Sequence, residues 1–318
     1  MLAAMSCRGS LSLCFVAVVA VPWALAQQTS PQVLSRLTWF DRAGTRLGGI
    51  GPVADHGNLE LSPDGTRVAV AVTDRARATR NIWMYDAKTG SRTQFTSEPA
   101  DENWLVWSGD GRRVVLNSFG QEYLSLFEAP ATGIDPHTVL LTDSDGKWPV
   151  SWSRDGRFVL YVTNSRATSN DIWVLPLKGD RRPYPFLRSE ASENWATFSP
   201  DGKWVAFSST ESGQIEVYVS PFPANGRKWR VSADGGSQAR WRRDGREIFY
   251  LAPDRKLVAA SVTTSRGGFT VKGYEPLFEA SYPYGAYHAF DVTADGQRFL
   301  VNTLVVSLTG PAVVASLR

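Results

Sequence analysis

The hydrophobic pattern of this chain is that of short β-strands, and it repeats along most of the sequence. In "FSPDGKWVAFSST" (198–210) a large apolar residue stands three positions before an Asp-Gly pair, and a run of β-formers follows. The pairs begin at Asp64, Asp110, Asp155, Asp201, Asp244 and Asp295. Asp-Gly supplies the positive φ of a tight hairpin turn, and the flanking runs supply its strands. The intervals of 46, 45, 46, 43 and 51 residues match the period of about 40–50 residues expected for four-stranded propeller blades.

Each repeat contains four segments of strand type and no helical periodicity. In the first repeat these segments are "NLELS", "RVAVAVT", "NIWMYDA" and "RTQFTSE". The pattern predicts an all-β protein, a six-bladed β-propeller with four-stranded antiparallel blades. The blades are expected near 55–100, 101–145, 146–190, 191–234, 235–285 and 286–318. The last repeat lacks a clear outer strand, so we expect it to be closed with 36–54; seven blades with one incomplete is the alternative.

The first residues have the pattern of a targeting segment. The apolar run "LSLCFVAVVAVPWALA" ends in the small-x-small site Ala24-Leu25-Ala26, which predicts a signal peptide over 1–26 and one propeller domain over 27–318. An uncleaved anchor is the alternative. Both cysteines, Cys7 and Cys14, lie in this segment, so the expected mature chain has no disulfide. We therefore expect a periplasmic or secreted protein without a membrane span after cleavage.

Charge argues against one class of partner. The chain has 34 basic and 31 acidic side chains, and the basic ones are dispersed. Nucleic-acid binding is therefore not expected, because it needs a concentrated basic surface.

The repeats resemble TolB-type, WD-like propeller units. Segments such as "LTWFDRAGTRLG" and "DVTADGQRFLVNT" are similar to the extracytoplasmic propellers found behind bacterial serine/threonine kinase domains, which implies a sensor or binding module. The chain has no glycine-rich nucleotide loop and no kinase catalytic sequence. It also lacks the Gly-x-Ser-x-Gly elbow of the hydrolases that carry similar repeats. We therefore expect a non-catalytic protein rather than an enzyme, with no cofactor.

A metal site has weak support. His56 precedes the first blade and His288 the sixth, so these two residues are expected in neighbouring loops at a channel mouth. A third clear ligand is missing, so no metal is expected. The segment "DSDG" (143–146) lacks the later ligands of a calcium loop and is interpreted as a turn.

Aromatic residues give the stronger indication of a site. Trp104, Trp148 and Trp195 precede the first strands of three successive blades, and Asn103 and Asn194 stand beside two of them. Residues at this position are expected on the face of the ring opposite the Asp-Gly turns. Amphipathic aromatics with amides suit peptide or sugar recognition, whereas tryptophans that cap blade cores are the structural alternative.

We therefore predict a monomer that binds a protein or peptide partner across this loop face. The expected binding residues are Asn103, Trp104, Trp148, Asn194, Trp195, His56, His288 and Tyr287. The alternative is a periplasmic hydrolase or lyase acting on a sugar or peptide, with a metal or acid/base site at the channel mouth.

Overall fold

A computed structural model describes residues 32–97, 100–119, 124–165, 168–265, 268–283 and 288–308. These residues form six four-stranded antiparallel sheets, the blades of a six-bladed β-propeller, so the predicted fold is confirmed. The expected signal peptide and Tyr287 lie outside the described residues. None of the described residues belongs to a helix long and apolar enough to cross a membrane.

The first three blades each run in chain order from the innermost strand outward. Blade 1 is β3 (His56–Leu61), β4 (Arg67–Asp74), β5 (Thr79–Asp86) and β6 (Arg92–Gln94). Blade 2 is β7 (Leu105–Trp107), β8 (Arg113–Phe119), β9 (Leu124–Pro130) and β10 (Thr138–Asp143). Blade 3 is β11 (Lys147–Trp152), β12 (Phe158–Ser165), β13 (Ser169–Pro176) and β14 (Tyr184–Leu187).

The other three blades have the same four-stranded plan. Blade 4 is β15 (Glu193–Phe198), β16 (Trp204–Ser209), β17 (Glu216–Pro221) and β18 (Trp229–Arg230). Blade 5 is β19 (Ser237–Trp241), β20 (Glu247–Leu251), β21 (Lys256–Ser265) and β22 (Gly268–Glu279). Blade 6, from its innermost strand outward, is β23 (Phe290–Val292), β24 (Arg298–Leu308), β1 (Gln32–Asp41) and β2 (Arg46–Ala54).

Blade 6 is built from both ends of the described chain. Strand β1 pairs antiparallel with β24, from Gln32 opposite Leu308 to Asp41 opposite Arg298. The early strands thus supply the outer half of the blade whose inner half comes last in the sequence. This pairing closes the ring, which removes the free edge that β24 would otherwise expose.

The Asp-Gly turns are stabilised by their own side chains. In the first turn, Asp64 Oδ1 accepts hydrogen bonds from Ser62 Oγ (2.6 Å) and from the Thr66 backbone N–H (3.0 Å). The serine bond holds the pKa of Asp64 below its usual value. Gly65 has a φ of +71°, which a residue with a Cβ adopts only with strain. Each of the six turns joins the innermost strand of its blade to the second strand, so all six lie on one face of the ring.

The inner strands bend where they begin, on the opposite face. The register of β15 with β16 shifts between Asn194 and Thr197, and that of β19 with β20 shifts between Ser237 and Arg240. At these bulges Trp195 and Gln238, the equivalent residues of two blades, have φ values of +50° and +58°. A bulge redirects side chains at a strand end, and here it presents Trp195 to the site described next.

Candidate functional site

The predicted tryptophans meet in one cavity on the face opposite the Asp-Gly turns. Trp104, Trp148 and Trp195 line a cavity of about 350 Å³ across blades 2, 3 and 4, together with Asn103 and Asn194. The remaining lining residues are Arg80, Asp101, Phe119, Val150, Val162 and Asn170. We call this cavity the tryptophan cleft. The structure thus brings together five of the residues that the sequence singled out.

The three indoles are not equally exposed. Trp104 is only 6% exposed and belongs to the hydrophobic core between blades, so it is a buried wall rather than a rim residue. Its ring lies edge-on to His288, with 5.0 Å between centroids. Trp148 and Trp195 are half-buried and pack against the same core cluster. A partner in the cleft would therefore contact chiefly the latter two rings.

The residues just before Trp148 in the sequence position its ring. Lys147, just before it, is buried and pairs with Asp143, while its Nζ donates to the Asp145 carbonyl at 2.6 Å. A Cβ at Gly146 would lie 2.7 Å from the Trp148 Cη2 atom, so only glycine leaves the ring in its present place. On its other side the ring meets Phe119 at 5.8 Å. Residues 144–146 connect β10 to β11, and this connection helps to position an indole.

Side-chain amides form a connected row along one side of the cleft. Asn164 Nδ2 donates to Asn170 Oδ1 (2.7 Å), and Asn170 Nδ2 donates to Asn194 Oδ1 (2.9 Å). Asn194 Nδ2 in turn donates to Ser192 Oγ at 3.1 Å. On the other side, Asn117 Nδ2 donates to Asn103 Oδ1 at 2.9 Å. These bonds orient the amides without using all of their hydrogen-bonding capacity, because each amide has two N–H donors.

The charges that line the cleft neutralise each other. Arg80 Nε donates to Asp101 Oδ1 at 2.8 Å, and a second guanidinium nitrogen pairs with Oδ2 of the same carboxylate. Among the described lining residues these two are the only charged ones. The cleft therefore presents apolar rings and amides, and its charge is balanced internally.

Both predicted histidines are buried. His56 begins strand β3 instead of lying in a loop, which corrects the expectation for that residue, whereas His288 precedes the first strand of blade 6 as expected. His56 is 5% exposed, with Nδ1 3.2 Å from Ser35 Oγ and its ring edge-on to Tyr85 at 6.4 Å. Burial lowers the pKa of His56 to about 4. Strand β3 begins at His56, so what looked like a loop residue packs against β1. Within the described ranges, no group of three or more His, Cys, Asp or Glu side chains is arranged to hold a metal ion.

His288 belongs to a buried ionic cluster on the axis of the ring. The Arg240 guanidinium reaches from blade 5 and donates through Nη2 to Glu60 Oε2 of blade 1 (2.8 Å) and to His288 Nδ1 (2.5 Å). Arginine has no acceptor, so His288 Nδ1 accepts this bond. Burial, assisted by the Arg240 charge, lowers the pKa of His288 well below its ordinary value. The imidazole is therefore neutral and structurally engaged.

Asp291 completes this cluster from blade 6. Its carboxylate lies 3.5 Å from Arg240 Nε and accepts the backbone N–H groups of Leu61 and Val292 at 2.8 Å each. Burial raises the pKa of Asp291 and of Glu60, while Arg240 opposes the rise in both. One arginine thus joins the inner strands of three neighbouring blades.

The repeat pattern carries a signal for this cluster that a search for histidines misses. Four positions before the Asp of each turn, the six repeats read Glu60, Val106, Ser151, Thr197, Arg240 and Asp291. A charged residue occupies this position only in blades 5, 6 and 1, which are adjacent in the ring; it is basic in blade 5 and acidic in the other two. The cluster lines a second cavity of about 460 Å³ that reaches the Asp-Gly turns. This cavity is larger than the tryptophan cleft and lies towards the other face.

Comparison with known proteins shows the fold and little beyond it. No family model matches the chain. Among curated proteins, the "uncharacterized peptidase YuxL" of Bacillus subtilis is 24% identical over 194 residues, 47% of this chain. The "uncharacterized protein Atu1656" of Agrobacterium fabrum is 28% identical over 122 residues, 38% of this chain. The matched regions span only 28% and 36% of those relatives' lengths.

Solved structures match over much more of the chain. The "putative TolB" from Agrobacterium tumefaciens superimposes with a TM-score of 0.67 at 16% identity, covering 86% of this chain and 99% of that one. TolB from Acinetobacter baumannii superimposes with a TM-score of 0.56 at 17% identity, covering 76% of this chain and 65% of that one. An oligogalacturonate lyase in complex with manganese superimposes with a TM-score of 0.54 at 14% identity, covering 84% of this chain and 77% of that one. The resemblance to TolB-type propellers is thus confirmed for the fold, and the mixed functions of these neighbours leave the activity open.

Proposed function

We propose that this chain is an exported, non-catalytic binding propeller that recognises a protein or peptide partner through the tryptophan cleft. The observation that carries the proposal is the convergence of three indoles and two asparagines, from three successive blades, on one cavity. Nothing in the hairpin chemistry of the repeat requires tryptophan at these positions, since blades 1, 5 and 6 have other residues there.

The physical character of the cleft suits this role. Binding energy concentrates in a few aromatic side chains that sit in well-packed pockets, where a truncation costs about 2 kcal/mol or more. Trp148 and Trp195 are half-buried on a packed base, so they have apolar area left to bury and little freedom to lose. The amide row supplies hydrogen bonds that fix the orientation of a partner. Export is supported by the apolar segment within residues 1–26. In this proposal the chain acts as a monomer in the periplasm or outside the cell.

A hydrolase or lyase that acts on a sugar or peptide is the second candidate. It is favoured by the carboxyls of Glu60 and Asp291, whose pKa values burial raises and which line the 460 Å³ cavity. Against it, both carboxyls already have partners: Glu60 has Arg240, and Asp291 has Arg240 and two backbone N–H groups. Such saturation is typical of a structural ion cluster, so the binding function is preferred.

A random-peptide display library tests the proposal although the natural partner is unidentified. Clones selected on the wild-type chain are measured again on Trp148→Ala and Trp195→Gly; glycine suits the positive φ of residue 195. Each substitution should weaken binding by about thirtyfold, equivalent to about 2 kcal/mol. Trp229→Ala is the matched control, because Trp229 is also half-buried but lies on β18, the outermost strand of blade 4.

The outcome is decisive in either direction. Peptides that bind the wild type and the control but not the two cleft variants support the proposal. A selection that enriches no peptide, or clones that bind all four proteins equally well, would contradict it.

A further inference from the structure

The charge of the tryptophan cleft restricts what can occupy it. Arg80 and Asp101 are bound to each other, and the other described lining residues are aromatic, aliphatic or amide side chains. A charged group that entered the cleft would lose its hydration without gaining an unpaired counter-charge. The occupant should therefore be neutral over the part that is buried.

The free hydrogen-bonding groups of the cleft restrict the occupant further. Asn103, Asn170 and Asn194 each use one Nδ2 donor within the described structure, to Asp101 (3.4 Å), Asn194 and Ser192 respectively. One N–H of each amide is thus left for a ligand. The oxygens of Asn103 and Asn194 each accept a bond already, from Asn117 and Asn170. The cleft therefore offers amide N–H groups that can donate hydrogen bonds to the backbone carbonyls of a partner.

A segment in polyproline II conformation has the complementary properties. Proline lacks a backbone N–H, so a proline-rich stretch offers carbonyl acceptors and few donors that burial would leave unsatisfied. Its rings pack on aromatic faces, and its stiff conformation loses little entropy on binding, which is why aromatic-lined grooves recur in proline recognition.

We propose that the tryptophan cleft binds a neutral, proline-rich segment of its partner in polyproline II conformation, with the rings against Trp148 and Trp195 and the carbonyls facing the amide row. This inference rests on the proposed function and specifies its ligand. Trp104 forms the back wall, and its contact with His288 keeps that wall fixed.

Titration calorimetry with an acetylated, amidated octaproline peptide tests this directly on the full chain. We expect binding that Trp148→Ala and Trp195→Gly each weaken at least tenfold, that Trp148→Phe largely retains, and that Trp229→Ala leaves unchanged. Because no unpaired charge takes part, the affinity should change less than twofold between low and high salt. A Gly/Ser octapeptide of equal length, which lacks the stiff conformation, should bind at least tenfold more weakly.

The comparison ligands separate the failure of this inference from that of the proposed function. If octaproline does not bind while library peptides without proline bind in a Trp148-dependent way, the proline inference is wrong and the binding function stands. If maltohexaose binds in the cleft and no peptide does, both are wrong and the cleft is a neutral-sugar site. Octaproline binding that survives both cleft substitutions also overturns the inference, because the peptide would then bind elsewhere.

Discussion

Acid should destabilise this protein in a way that one buried histidine explains. His56 is 5% exposed, and Nδ1 lies 3.2 Å from Ser35 Oγ. Burial is the main reason that its pKa falls to about 4, the Arg92 charge adds to the effect, and a hydrogen bond with Ser35 opposes it. The folded protein therefore holds this imidazole in its neutral form well below the pH at which a free histidine takes up a proton.

The sign and size of the effect follow from proton linkage. In the unfolded chain the pKa of histidine is about 6.5, so between about pH 6.5 and pH 4 the unfolded state binds a proton that the folded state refuses. The stabilisation is complete above pH 6.5 and is lost as the pH falls towards 4. At pH 5 the loss is about 2 kcal/mol relative to pH 8. His288 acts in the same direction, because its pKa is also lowered.

Urea unfolding of the wild type and of His56→Gln at pH 8 and pH 5 measures this contribution. The fall in unfolding free energy between the two pH values should be about 2 kcal/mol smaller in the variant, since glutamine does not titrate. His137→Gln is the control, because His137 is an exposed histidine, and it should behave as the wild type does. If His56→Gln keeps the full acid sensitivity, then His56 is not buried and its assignment to the core beside β1 is wrong.

Three further predictions concern other parts of the ring. Gly146→Ala should weaken peptide binding several-fold with an unchanged melting temperature, because its Cβ would displace the Trp148 ring. The control Gly133→Ala has open space around its Cβ and should change neither property. If Gly146→Ala and the wild type bind peptide with equal affinity, Gly146 does not position that ring. Arg240→Leu should lower the free energy of unfolding by about 3–5 kcal/mol in urea titrations, because it leaves buried carboxylates unpaired, and a loss below about 1 kcal/mol would contradict the role of the cluster. Deleting 36–50 removes most of β1 and part of β2, so size-exclusion chromatography should show aggregates, and a monomer of unchanged melting temperature would disprove closure by these strands.

The fold was predictable because its information is local and repeated. An Asp-Gly turn with alternating strands is specified within about a dozen residues, and the chain states it six times. A position counted from the Asp of each turn therefore corresponds to a fixed place in every blade. Trp104 and Trp195 stand six positions before that Asp and Trp148 seven, which is near enough to put all three on one face, and the cavity joins them.

The rest of the site depends on contacts that no single repeat encodes. Asn170 reaches the cleft from β13 and bonds to Asn194 on the next blade, so it occupies a different position in the repeat from the tryptophans. The burial of His56 and His288 follows from neighbours in other blades, Ser35 and Arg240. A search for histidines in the sequence does not find Arg240, because the role of Arg240 depends on opposite charges across the ring axis and not on a local motif.

The indole N–H signals of the chain in two-dimensional NMR show directly whether the tryptophan cleft is the surface that binds a partner. Signals are assigned by single Trp→Phe substitutions, and a library-selected peptide is then titrated in. We predict that the signals of Trp148 and Trp195 shift, while those of Trp152 and Trp241, which line the 460 Å³ cavity, stay in place. If the signals of Trp152 and Trp241 shift and those of Trp148 and Trp195 do not, the tryptophan cleft is not the binding surface and the 460 Å³ cavity is.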